Sequence, residues 1–147
     1  MYHSYRWMVI LLIVAGLLLS GCQRSSTHHA MNPAEVKHIE GSDLSLVILT
    51  EKAAQRIDLK TDKVREMKVK RSESERKVVP YSSLIYDRNG QTWIYKSPKP
   101  LTFVRHKVEV DYIEGKMAVL NDGPPTDTIV ASLGVAEIYG TETGVGH

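Results

Sequence analysis

Residues Trp7–Leu19, WMVILLIVAGLLL, form an unbroken apolar run of 13 residues with one glycine. Met1–Arg6 ahead of it carries one basic side chain, Arg6. A helix crossing a hydrocarbon core needs about 20 apolar residues, so this run is short for a span and matches the apolar region of a secretory signal instead. Residues 1–21 are therefore expected to be a cleaved signal peptide, leaving 126 residues, 22–147, to fold. With 42% apolar and 24% charged residues, the chain has the composition of one ordinary globular domain, and too little length remains for two. Nineteen Lys+Arg against seventeen Asp+Glu give a formal charge of +2, too even for binding driven by counterion release from nucleic acid.

The apolar run closes on Leu19-Ser20-Gly21-Cys22, which resembles the lipobox of bacterial lipoproteins. Small residues before the cut give a signal peptidase access to the backbone, and the Cys22 thiol would become the thioether carrying diacylglycerol. Cys22 is the chain's single cysteine, which excludes an intramolecular disulfide and a Cys-based zinc cluster. The resemblance implies a membrane lipid anchor at Cys22 on the extracytoplasmic face, periplasmic or cell-surface. Two or more acyl chains hold a protein stably where one does not. Apart from that covalent lipid, no cofactor is expected.

Residues 22–43 read as the lipidated cysteine and a flexible tether, rich in Ser, His, Pro and Gly without a sustained period. His28, His29, Met31 and His38 lie here and give the alternative reading, a copper- or zinc-binding lipoprotein. Imidazole and thioether suit copper. Adjacent histidines on an unscaffolded segment nevertheless make a weak, exchangeable site the most to expect of them.

The folded domain is expected over residues 44–140. Leu44–Leu49 reads as a buried strand, and Thr50 caps a short helix, Glu51–Ile57, with Glu51 in its first turn. Leu59–Val69 reads as one charged strand and Lys70–Lys77 as a polar loop or hairpin end. From Val78 onward the pattern is β. Asn89-Gly90 supplies the positive φ angles of a tight hairpin. Phe103–Tyr112 reads as the longest alternating strand, with Val104, His106, Val108, Val110 and Tyr112 on one side. Residues 141–147, in a glycine-rich end, read as a flexible tail. The fold class expected is mainly β: a small antiparallel β-barrel or sandwich-like domain with one short helix.

A search for catalytic constellations finds little. Ser82 and Ser83 sit in no G-x-S-x-G elbow. His106 and Asp111 fall on opposite sides of the expected strand. Glu109 and Asp111, beside Arg105 and Lys107, read as a solvated charge ladder. The glycines of 140–147 lack the Lys-Ser/Thr of a phosphate loop. The chain is accordingly read as no enzyme. Trp93, Tyr95, Tyr86, Tyr81 and Phe103 crowd one part of the expected sheet. They are either cross-strand core or, with Trp93, Tyr95 and Phe103 at its centre, an aromatic patch for a partner protein.

Two segments resemble one family. Val47–Val64, VILTEKAAQRIDLKTDKV, is similar to the N-terminal edge of the periplasmic adaptor subunits of RND-type efflux pumps, the membrane fusion proteins. Val79-Pro80-Tyr81-Ser82-Ser83-Leu84-Ile85, Gly90–Tyr95, Phe103–Val108 and Thr128–Gly134 resemble their C-terminal portion. In those adaptors the two portions meet in one membrane-proximal β domain, with a barrel, a lipoyl domain and a helical hairpin inserted between them. Here about a dozen polar residues join Val64 to Val78, so the resemblance implies the membrane-proximal domain alone. Asp58 stands where the family favours glycine, and Asn121–Asp127 replaces another conserved turn. The implied role is an accessory or partner-binding module for a membrane transporter.

Overall fold

A computed structural model describes residues 32–144. The expected signal peptide, Cys22, His28, His29, Met31 and residues 145–147 lie outside them. Strands β1 (Ala34–His38) and β2 (Ser45–Leu49) lead into helix α1 (Glu51–Arg56), followed by β3 (Lys60–Lys63), β4 (Arg65–Lys68) and β5 (Glu75–Pro80). A single 3-10 turn at Tyr81–Ser83 precedes β6 (Ile85–Tyr86), β7 (Thr92–Lys99), β8 (Thr102–Lys107), β9 (Glu109–Glu114), β10 (Met117–Asp122) and β11 (Ile129–Leu133). Helix α2 (Val135–Thr143) follows.

The strands make two antiparallel sheets. The larger has the order β1-β2-β8-β7-β11-β3, with β6 also on β7, and the smaller has the order β4-β5-β10-β9. Neither closes into a barrel, and the architecture is the sandwich-like form of the expected mainly β domain.

Alternation explains the layering. Ile94 and Tyr95 are neighbours in β7 and point to opposite faces. Ile94 joins Val64, Val79, Val108, Ala118, Leu120 and Val130 in the core toward the small sheet. Tyr95 joins Val47, Leu49, Phe103 and Ala131 in a second core, closed by Val135 and Ile138 of α2. The large sheet is thus a middle layer, buried on both faces at its centre.

Four expectations are corrected. The stretch expected as a single strand over Leu59–Val69 divides at Val64, which is fully buried and bonded to Thr128 and Asp127 on both its N–H and C=O. Phe103–Tyr112 divides likewise at buried Val108, whose N–H donates to Thr92 O at 3.0 Å. At each valine the chain leaves the large sheet for the small one, as strands do at sandwich corners. The expected tether contains β1: its backbone pairs with β2, Ala34 packs on the core, and the folded unit begins at Asn32 rather than Leu44. The expected tail contains the last turn of α2, a second helix, so residues 141–143 belong to the fold.

Two turns show why particular residues stand where they do. Gly134 reverses the chain between β11 and α2 with φ +79°, and a Cβ there would meet Ile57 Cδ1 at 3.0 Å. Asp58, where the resemblance favours glycine, has φ +48°, a left-handed backbone that Asp tolerates better than most residues.

Candidate functional site

The richest chemistry lies where α2 crosses the β7–β8 hairpin. The hairpin before it is built by Asp87: its N–H donates to Gln91 O, and Gly90, at φ +73°, donates back to Asp87 O at 3.0 Å. Only Gly90 of the Asn89-Gly90 pair takes positive φ. The Asp87 carboxylate accepts from the Asn89 and Gln91 N–H groups at 2.8 and 2.9 Å and from Trp93 Nε1 at 3.0 Å. Desolvation works to raise the Asp87 pKa. The bonds from Gln91, Trp93 and Asn89, with the charge of Arg105, outweigh it and hold the carboxyl below its ordinary value.

Trp93 is fixed in turn over the Arg105 guanidinium, with Cζ 4.9 Å from the ring centroid. Arg105 sits opposite Tyr95 in the β7–β8 register, and both reach Glu142 of α2. Arg105 Nε donates to Glu142 Oε1 at 2.9 Å, and the Tyr95 hydroxyl donates to Oε2. The Glu142 side chain is 4% exposed and that of Arg105 15%, so this is a desolvated ion pair with a third, neutral donor. Burial, then the hydrogen bond and negative charge of Glu142, push the Tyr95 phenol far above its ordinary pKa. With both carboxylate oxygens satisfied and the phenol locked as a donor, the cluster is a clamp between helix and sheet.

An apolar groove of about 680 Å³ opens between the end of α1 and the β7–β8 turn. Its lining includes Ala54, Leu59, Pro98, Pro100, Leu101, Phe103 and Ile129, with Gln55 and Lys99 supplying polar atoms. Ile129 is among the exposed large apolar residues, and Leu101 turns the hairpin at φ +58°.

The aromatic residues expected as a partner patch separate. Tyr95 and Phe103 are fully buried core residues, Phe103 at the floor of the apolar groove; Trp93 is half-buried against Arg105. The exposed aromatics are Tyr81 and Tyr86. The core reading of the cluster holds for Tyr95 and Phe103 because β7 and β8 run through the middle of the sheet, where both faces are covered.

His106 is half-buried; desolvation, then the charge of Lys96, lowers its pKa, with Lys77 adding to the shift and Asp122 opposing it. Ser83 is buried with its hydroxyl unpartnered among the described residues, and Ser82 is exposed. His38, the only one of the four tether metal candidates among the described residues, ends β1 and is exposed. Arg105 and Glu142 were missed as a pair. They lie 37 residues apart, and Glu142 sits in a Gly/Thr-rich end where nothing local marks an acid for burial.

No protein family, no curated protein and no solved structure matches this chain. Its class rests on its own architecture: a mainly β, sandwich-like domain of two antiparallel sheets.

Proposed function

We propose that this chain is a non-catalytic, lipid-anchored extracytoplasmic module that binds a membrane transporter, built on the plan of the membrane-proximal domain of efflux adaptors. One observation carries the reading. The two segments that resemble the adaptor ends, which such a domain must bring together, lie in one sheet: β2 pairs with β8, and β3 pairs with β11. Between them, where the adaptors carry their inserted domains, the β4–β5 hairpin pairs Arg65 with Val78 and Lys68 with Glu75. The lipobox resemblance at Cys22 supplies the anchor. The apolar groove, rimmed by Gln55 and Lys99, is the surface offered to the partner.

The test is photo-crosslinking in native membranes with a photoreactive residue in place of Gln55. A crosslink to the extracytoplasmic part of a transporter, identified by mass spectrometry, is the expected result. A cell-wall enzyme as the only adduct, or no adduct at all, contradicts the proposal.

A further inference from the structure

Strand β1 forms one border of the large sheet; among the described residues it pairs with β2 alone. The bonds flanking this ladder fix which backbone groups face β2 and which face away from it. Thr50 N donates to Pro33 O and Ile39 N to Leu44 O, each at 3.0 Å. Antiparallel pairs alternate between bonded and non-bonded. Positions 35 and 37 therefore bond to Ile48 and Leu46, while the N–H and C=O groups of Ala34, Val36 and His38 point away from β2. These are three consecutive outward donor–acceptor positions, in register and without a bulge.

The other borders are less open. β3 and β9 both carry register shifts against their neighbours, and such bulges blunt an edge. β4 is fully exposed and mostly charged, with Arg65, Glu66 and Lys68 around Met67. A lysine commonly guards an edge as well, and β1 has Lys37. Here, however, Lys37 stands two residues from Glu35, with Val36 between them, and the two charges already meet at 3.3 Å within the strand. That spacing makes the strand complementary to itself.

We propose that β1 is a self-association edge on which a second copy of this chain docks antiparallel about a two-fold axis at Val36. This inference is independent of the transporter reading. In that register Ala34 lies opposite the partner's His38 and Val36 opposite the partner's Val36. Both are bonded pairs, and both use the outward-pointing groups identified above. Glu35 lies opposite the partner's Lys37, and Lys37 opposite the partner's Glu35, in non-bonded pairs where side chains approach most closely. Val36, 43% exposed in the single chain, meets its own copy on the other side of the sheet. The interface is isologous, so it closes at two copies with both β1 edges used. A slip of one residue would set outward-pointing groups against inward-pointing ones, and a slip of two would set Glu35 against Glu35 or Lys37 against Lys37. Charge and backbone thus select the same alignment.

The test uses the full-length chain carrying Cys22→Ser, so that an introduced thiol is the only one. Val36→Cys places two thiols on residues whose Cα atoms lie about 5.5 Å apart in a bonded antiparallel pair, within reach of a short thiol cross-linker. Met67→Cys on β4, the unbulged border of the other sheet, is the control. At least tenfold more dimer from Val36→Cys than from Met67→Cys is expected. Adding Glu35→Lys should cut that yield about tenfold by setting two lysine pairs opposite each other, and adding Lys37→Glu as well should restore it. Equal yields from positions 36 and 67, or a yield that the charge changes leave untouched, would overturn the proposal.

Discussion

The seven-stranded sheet is covered on one face by α2 through an ion pair, a phenol and aromatic packing, and on the other by four strands through aliphatic side chains. Phe103 and Tyr95 fill the helix side, with Arg105 and Glu142 beside them. Valine, isoleucine, leucine and alanine alone fill the strand side. An aliphatic core loses stability in proportion to what is cut from it, because the hydrophobic effect scales with buried area. A desolvated ion pair behaves differently: with both members present it is close to neutral against an apolar replacement, and with one removed it leaves a buried charge. The helix side therefore specifies one position for α2, and the strand side supplies graded cohesion.

The contrast is broken most sharply at Glu142. Glu142→Ala strands the Arg105 guanidinium and the Tyr95 hydroxyl together, with an expected loss of about 3–5 kcal/mol. Urea denaturation measures it, and a loss below about 1 kcal/mol would mean that the pair clamps nothing. Val79→Ala, at a fully buried position on the strand side, removes two carbons and leaves a small cavity. About 2 kcal/mol is expected there by the same measurement. Equal losses at the two positions would erase the distinction between the faces.

How far the sequence revealed each region follows the same division. The elements of β2, α1, the Asp87–Gly90 turn and β11 were legible because their signals are local: an apolar run, a Thr50 cap that accepts from Ala53 N, a turn acid and glycine. Strand β1 was not, since four of its five residues are exposed and an edge strand needs no apolar alternation to pair. The corners at Val64 and Val108 were hidden because a valine that turns between sheets looks like one that continues a strand. The clamp was least legible of all, since its members come from β7, β8 and α2 and only the fold brings them together.

A smaller effect sharpens the electrostatic side. His106 has a folded-state pKa below its ordinary value, so the unfolded chain takes up the proton first as pH falls. Its contribution to stability is whole above the unfolded value of about 6.5 and is lost as pH drops through the folded one. Stability should therefore decline from pH 7 to pH 5, and His106→Gln should flatten that decline. A His106 proton resonance titrating above 6.5 would reverse the sign.

The proposed function requires that this domain work at a membrane, held there through Cys22. Replacing Cys22 by Ser and comparing fractionation and intact mass with the parent tests it most directly. The expected result is a parent protein in the membrane fraction, beginning at residue 22 with a diacylglyceryl group, and a variant that is released or left unprocessed. A variant that matures to the same chain end and stays with the membrane as the parent does would contradict it.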